Sequence, residues 1–161
     1  MPLPIGQNIK LFVTNCEHLN DGFIACMPMD SVKELLQIEK AIEDYGYRTK
    51  DMKYSPVNNE LCLILVDKQW YRAAVAEQLS NLDEFNFYLI DYCRFEIKVS
   101  NENIRKMPKQ FGKTRPKVHL CRILDRSSVK TQNIVKQAKV GSSFTVSSIV
   151  LSNEQQFCLN F

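Results

Sequence analysis

The chain has 161 residues, of which 45% are hydrophobic and 24% charged, and its formal net charge is +3. This length and balance indicate a globular protein with a buried core, built as one domain or as a composite of two small modules. No apolar run approaches the roughly 20 residues that a transmembrane helix requires, and the opening MPLPIGQNIK has no secretory signal pattern. The sequence thus argues against a membrane-spanning or secreted protein and predicts a cytoplasmic one.

Charge is unevenly distributed along the chain. Residues 1–104 contain 10 basic and 16 acidic residues, whereas residues 105–161 contain 11 basic and two acidic residues. Such asymmetry predicts either an anionic partner for the late segment or an internal match with the acidic first part. The basic segment 105–139 is expected to be a solvated face. The alternative is a single-stranded RNA-binding surface, although only Phe111 lies within it to stack on a base.

The first predicted elements are two strands and a helix. Residues 9–18 and 22–28 are β-rich runs joined by an Asn-Asp-Gly turn, which favours a hairpin. Apolar residues recur at helical spacing over 31–45 and predict a helix, and Gly46 follows where a C-terminal cap glycine belongs.

A polar connector leads to a series of short strands. The apolar runs predict strands at 61–66, 70–78, 85–92 and 94–100. Connections this short force neighbouring antiparallel strands, which bend readily into a small barrel.

The last third returns to a mixed pattern. In chain order we predict a turn of helix within 100–111, a strand at 117–124, a helix within 127–140, and strands at 142–152 and 155–161. The two flanks have too few strands for separate cores, so they are expected to fold together.

No cofactor, metal or catalytic activity is expected. The six cysteines are placed singly, without a C-x-x-C pair, and only His18 and His119 could assist them. Scattered thiols in a chain of this kind mostly act as small core residues. Neither histidine lies in a Cys-His or Ser-His pattern that would activate a nucleophile.

Three segments of the central region resemble a Tudor domain. They are LCLILVDKQWYRAAV, FYLIDYCRFEIKV and IRKMPKQF, which match the family's W-Y-R-A, its I-D-Y and its closing proline-phenylalanine pattern. The flanks resemble those of the extended Tudor arrangement. The resemblance implies a mainly β fold with two or three helices: a Tudor β-barrel at 57–111 packed on a staphylococcal-nuclease-like, OB-type barrel formed by 1–56 and 112–161.

The resemblance also implies a function. Extended Tudor modules of germline proteins bind symmetrically dimethylated arginine in the tails of PIWI-clade Argonautes, within the PIWI-interacting RNA (piRNA) pathway and in perinuclear germ granules (nuage). The methylated guanidinium stacks in a cage of about four aromatic rings.

Carried over position by position, the cage of this chain is degenerate. The positions are Leu65, Tyr71, Leu89, Tyr92 and Arg94, and only Tyr71 and Tyr92 keep an aromatic ring. Arg94 replaces the family's orienting asparagine and places a cation where a cation should bind, which is unfavourable at close range. The sequence therefore predicts binding of an unmethylated arginine-containing peptide of a PIWI-clade Argonaute. In this it resembles the first extended Tudor module of an insect nuage scaffold.

Three acidic residues near these positions could contact an unmodified arginine. They are Asp67, Asp91 and Glu96. For Asp91 the alternative is a structural hydrogen-bond acceptor beside a turn, and Trp70 is expected in the core because it neighbours Tyr71 on a strand. A purely structural or self-associating domain is the remaining alternative.

Overall fold

The computed structural model describes Leu3 and residues 5–161, which form two compact units. One unit contains the described residues up to Val32 together with Lys117–Phe161, and the other is Lys33–Pro116. The sequence predicts boundaries after residues 56 and 111. The predicted Tudor segment, residues 57–111, lies within the second unit.

The described residues form ten strands and three α-helices. The strands are β1 (Gly6–Asn15), β2 (Phe23–Pro28), β3 (Leu61–Val66), β4 (Gln69–Gln78), β5 (Glu84–Leu89), β6 (Arg94–Ser100), β7 (Ile104–Lys106), β8 (His119–Ile123), β9 (Ser143–Leu151) and β10 (Phe157–Asn160). The helices are α1 (Val32–Arg48), α2 (Lys109–Gly112) and α3 (Val129–Gln137), with 3₁₀ turns at Leu19–Asp21, Met29–Ser31 and Asn101–Asn103. The predicted mainly β fold with two or three helices is confirmed.

The first unit is a closed barrel made by both flanks of the sequence. Its strand order is β1-β2-β8-β10-β9, and β9 pairs back onto β1. Closure leaves no edge strand, which is how an OB-type barrel stabilises so few strands. The prediction that the two flanks fold together is confirmed.

The barrel interior is filled by alternate residues of its strands. Leu11 and Val13 of β1 are fully buried and meet buried residues of the other four strands in one cluster. Helix α3 adds Ile134 and Val135 to this cluster. It begins at Ser128, whose hydroxyl oxygen accepts a hydrogen bond from the Thr131 amide at 3.1 Å, a typical N-terminal cap.

The cysteines serve as core residues, as predicted. Five of the six are buried, and Cys16 is half-buried. Cys26 and Cys121 lie inside the closed barrel with their Sγ atoms 3.6 Å apart, well beyond the roughly 2.05 Å of a disulfide bond. Cys62 is buried in the second unit, where burial and the charge of Glu60 raise the pKa of its thiol to about 12.

The second unit is built on a five-stranded antiparallel sheet. Its order is β6-β5-β4-β3-β7, and each strand contributes at least one side chain to a single core. The strand pairing described for this region is thus that of a five-stranded sheet, whose strands all pack on the same core. The β3–β4 hairpin turns through Asp67 (φ 47°) and Lys68 (φ 69°), the two left-handed residues of a type I′ turn.

Helix α1 covers the outer face of this sheet. Ile42 packs against Leu63 and Trp70, and all three are buried. A Cβ at Gly46 would lie 2.3 Å from the indole of Trp70, so glycine is needed there for close approach. The helix continues to Arg48. The prediction that Gly46 caps its C-terminus is therefore wrong, since packing against Trp70 rather than chain reversal requires the glycine.

One strand was missed in the sequence. The predicted helical turn within 100–111 contains instead a 3₁₀ turn, the short strand β7 and helix α2. Arg105 of β7 is buried and donates to the carbonyl oxygens of Thr49 (2.6 Å) and Lys50 (2.5 Å). None of the helices within residues 5–161 is long and apolar enough to cross a membrane.

Candidate functional site

Two tyrosines form an aromatic surface at one end of the sheet core. Tyr71 of β4 and Tyr92 of the turn after β5 pack edge-to-face, with ring centroids 5.4 Å apart and planes at 88°. Both are half-buried and lie against the sheet core. Such pairs contribute about 0.5–1.5 kcal/mol beyond the area they bury. We call Tyr71 and Tyr92 the tyrosine wall.

Leu65 does not lie with the tyrosine wall. Residues directly opposite in an antiparallel pair share a face, and Leu65 is opposite Trp70 whereas Tyr71 is opposite Ile64. Leu65 accordingly packs with the helix-facing cluster, and Val66 takes the place predicted for it, against the same core as the two tyrosines. The parity of the hairpin could have shown this from the sequence, since Trp70 and Leu65 must point the same way.

Leu89 and Cys93 lie on either side of Tyr92 at the turn after β5. Leu89 is fully buried in the sheet core and offers no open face to a ligand. Cys93 has a φ of 51°, so the turn keeps the left-handed backbone that glycine would favour. The wall thus has two aromatic rings and one aliphatic neighbour, Val66.

Arg94 lies on the tyrosine wall. Its Cζ atom is 5.5 Å from the centre of the Tyr71 ring, within cation–π range. Its Nη2 is 2.7 Å from Glu96 Oε1, and its Nε is buried with no hydrogen-bond partner among the described residues. Burial raises the pKa of the Tyr71 hydroxyl, and the charge of Arg94 opposes that rise. The site already holds one unmodified guanidinium.

Glu39 of helix α1 closes the other side of the wall. The Tyr92 hydroxyl donates a hydrogen bond to Glu39 Oε1. Burial, with smaller contributions from the charges of Asp91 and Glu43, raises the pKa of Glu39 to about 7. The carboxyl group is therefore poised to ionise near neutral pH.

A cleft of about 470 Å³ adjoins Glu39, between α1 and the β3–β4 turn. It is lined by Leu36, Glu39, Lys40, Glu43, Asp67, Lys68 and Gln69. We call this the acidic cleft, because three carboxylates face two ammonium groups in it. The structure thus places Asp67 in the cleft and Glu96 on Arg94. Glu39 and Glu43 were not found from the sequence, since nothing in a helical pattern shows which polar residues meet a distant turn.

Asp91 contacts an arginine, but it is Arg72 of the same chain. Arg72 Nε and Nη2 donate to the two carboxylate oxygens of Asp91 at 2.8 and 2.6 Å, and Nη1 donates to the carbonyl oxygens of Phe111 and Thr114. Only 2% of Arg72 and 6% of Asp91 are exposed. Asp91 is thus a structural residue with both oxygens occupied, which removes it from the predicted peptide contacts.

Trp70 and Tyr88 make other aromatic contacts. Trp70 is in the core as predicted, with the guanidinium of Arg105 stacked 5.2 Å from its ring. Tyr88 packs on Phe95, with ring centroids 5.1 Å apart. No group of three or more metal-ligating side chains lies close together anywhere in the described part of the chain.

The Tudor domain profile matches residues 3–124 of this sequence, more than half of the chain. The chain belongs to the Tudor domain family. Tudor domains are interaction modules rather than enzymes. The chain is also 30% identical over 113 residues to Protein vreteno of Drosophila melanogaster. That match covers 69% of the chain but only 16% of the length of vreteno.

Solved structures with the same architecture are extended Tudor domains. The extended Tudor domain of human TDRD1, in complex with a symmetrically dimethylated peptide, superposes with a TM-score of 0.75 at 18% identity, covering 99% of this chain and 81% of that one. A mouse TDRD1 extended Tudor domain, in complex with a MILI peptide containing dimethylarginine, gives 0.74 at 16% identity, covering 99% and 83%. At these identities the likeness is one of fold, and it identifies the present fold as that of an extended Tudor domain.

Proposed function

We propose that this extended Tudor domain is a non-enzymatic interaction module that binds an arginine-containing segment of the N-terminal tail of a PIWI-clade Argonaute, independently of arginine methylation. The observation that carries the proposal is the guanidinium of Arg94, which stacks on Tyr71 and pairs with Glu96. An unmodified guanidinium thus fits the tyrosine wall.

The chemistry of the wall gives a dimethylated arginine no advantage over an unmodified one. A cage of four rings gains from methyl groups because it encloses them, whereas two rings leave them in water. An unmodified guanidinium has five N–H donors, and methylation removes donors that could pair with carboxylates. Glu39 and Glu96 both supply acceptors beside the two rings. Hydrogen bonding can therefore replace the aromatic contacts that this site lacks.

The acidic cleft supports a basic ligand that extends beyond one residue. Glu39 belongs to both the cleft and the edge of the tyrosine wall, since it accepts the Tyr92 hydrogen bond. Glu43 and Asp67 add carboxylates further along. A tail with more than one basic residue would thus meet negative charge on leaving the wall, which speeds and orients encounter.

The choice of partner rests on the family. MILI, the source of the peptide bound to mouse TDRD1, is a PIWI protein. We infer that this chain acts in the same piRNA pathway and is found in cytoplasmic germ granules (nuage). The match covers only 16% of the length of vreteno, so the proposal concerns this domain and takes no activity from the rest of vreteno.

The direct test is a calorimetric titration with three peptides of one Argonaute-tail sequence. They carry unmodified arginine, symmetrically dimethylated arginine, or lysine at the central position. We expect the unmodified peptide to bind at least as tightly as the dimethylated one, and the lysine peptide to bind more weakly because an ammonium cannot stack as a planar fork. A clear preference for the dimethylated peptide would overturn the proposal.

Two variants locate the binding surface. Tyr71→Ala should weaken peptide binding, whereas Tyr88→Ala, which removes a ring from the Phe95 contact instead, should leave it unchanged. Salt separates the peptide function from the RNA alternative. RNA binding through phosphates should fall steeply and log-linearly with added salt, and a peptide held by stacking and hydrogen bonds should respond less.

A further inference from the structure

The tyrosine wall of this domain already has an occupant. Arg94 covers the face of Tyr71 at 5.5 Å, the ring that a ligand guanidinium would use. Tyr92 packs against the same ring, with the two ring planes perpendicular. An incoming arginine can therefore stack on Tyr71 only after Arg94 has left.

The hold on Arg94 is weak enough to be released. Glu96 pairs with Nη2, the Tyr71 hydroxyl interacts with the guanidinium through a side-chain hydrogen bond, and Nε has no hydrogen-bond partner within the described residues. The side chain of Arg94 keeps 29% of its surface exposed, so its guanidinium can turn into water without crossing the core. A partly exposed ion pair and one cation–π contact each contribute little in water.

We propose that Arg94 is a resident, exchangeable ligand of the tyrosine wall, which a peptide arginine displaces from Tyr71 while taking over Glu96. This inference rests on the proposed function, because it names how that site is regulated. The exchange is like for like: one guanidinium leaves the ring and the carboxylate, and another replaces it. Arg94 thereby sets the threshold affinity that any ligand must exceed.

The proposal predicts the sign of a mutational effect. A residue that contacts the peptide weakens binding when it is removed. A resident occupant strengthens binding when it is removed, because apparent affinity is the intrinsic affinity reduced by the fraction of molecules with an open site. In the parent, Glu96 pairs with Arg94 before binding and with the ligand after it, so Glu96→Gln removes a contact from both states and should change binding little. In the Arg94 variant the carboxylate has no resident partner to lose, so Glu96→Gln should weaken binding there.

The variant is Arg94→Asn, and its matched control is Lys98→Asn. Lys98 lies four residues along the same strand, is exposed, and has a φ of 55° that asparagine tolerates. Both changes remove one positive charge, so a general electrostatic gain would appear in both. We expect Arg94→Asn to bind the unmodified peptide about fourfold more tightly than the parent, as a resident contact of about 0.8 kcal/mol would require, and Lys98→Asn within about twofold. Equal or weaker binding by Arg94→Asn would overturn the inference.

A second readout needs no Argonaute peptide. N-acetyl-arginine amide is titrated into each protein while the ring signals of Tyr71 and Tyr92 are followed by NMR. The inference expects these signals to shift at lower concentration in Arg94→Asn than in the parent or in Lys98→Asn. If no peptide binds but the amide shows this order, the proposed function fails and the inference holds. If the parent binds the peptide and neither probe distinguishes Arg94→Asn, the function holds and the inference fails. If neither the peptide nor the amide binds to any of the proteins, both the proposed function and the inference on Arg94 are overturned.

Discussion

Arg72 and Arg94 lie in the same sheet unit, yet they hold their guanidinium groups in different ways. Arg72 is 2% exposed and donates four hydrogen bonds, two to Asp91 and two to backbone carbonyls. Arg94 is partly exposed and has one carboxylate contact and one aromatic face. Desolvation explains the contrast. A buried charge loses its hydration and needs partners within the protein, and each nitrogen of the Arg72 guanidinium has one. A partly exposed charge keeps some of its hydration and can exchange its partners for water.

The largest effect is expected from Asp91→Ala. It leaves the guanidinium of Arg72 buried without a counter-ion, and we expect the free energy of unfolding to fall by about 3–5 kcal/mol. Urea unfolding followed by the fluorescence of the single tryptophan, Trp70, measures it. Glu96→Ala, which removes the carboxylate of Arg94, is the control. Similar losses in both variants would contradict the distinction between the two arginines.

Arg72→Lys should cost about 2 kcal/mol, although it keeps the charge. Lysine cannot reproduce the planar fork that reaches Asp91 and the carbonyl oxygens of Phe111 and Thr114 together, so buried acceptors lose their partners. Arg94→Lys removes only a stacking contact and should be nearly neutral in the same unfolding measurement. If Arg72→Lys left the free energy of unfolding unchanged, a positive charge alone would be enough at this site and the planar guanidinium would not be needed.

Stability near the tyrosine wall should depend on pH, because Glu39, which accepts the Tyr92 hydrogen bond, has a raised pKa. Burial raises the pKa of Glu39 to about 7 from an ordinary value near 4.5, so the folded state holds this proton more tightly than the unfolded state. Its stabilising effect is present below about pH 4.5 and is lost as the pH rises through 7. We expect the difference in unfolding free energy between the parent and Glu39→Gln to fall by about 1 kcal/mol over that window, allowing for solvent screening. A difference that is flat with pH would show that Glu39 does not titrate there.

The smallest effect on stability is expected from Arg94→Ala. Its ion pair and its cation–π contact are partly solvated, so the free energy of unfolding should change by less than about 1 kcal/mol. Differential scanning calorimetry of the parent, Arg94→Ala and Asp91→Ala compares the stability contributions of the two arginine sites directly. A loss as large as that of Asp91→Ala would mean that Arg94 is a structural residue and cannot be exchanged.

Much of the architecture could be predicted from the sequence, because it depends on local patterns. Helix α1, strand β3 and the pairing of the two flanks follow from apolar periodicity and from the family motifs. Strand β7 was missed because its three residues include a buried arginine. A hydropathy pattern treats arginine as exposed, and it cannot show that this side chain donates to the carbonyl oxygens of Thr49 and Lys50.

The candidate site was harder to predict, for a geometric reason. Motif alignment found Tyr71, Tyr92 and Arg94, which the structure brings together, but shifted the first position by one residue, and one residue reverses the face of a strand. The contribution of Glu39 depends on how a helix docks on a sheet. That docking is fixed by Gly46 and Trp70, which do not resemble a binding motif.

The buried thiols make the opening of each unit measurable by cysteine labelling. Cys26 and Cys121 are 0% exposed inside the closed barrel, and Cys62 is 0% exposed in the core of the sheet unit. A thiol-specific reagent can reach each of them only when its own core opens, so labelling rates report the opening of each unit separately. One mass-spectrometric time course on the unmodified chain would thus follow the barrel and the sheet side by side, without a dye or an added label site.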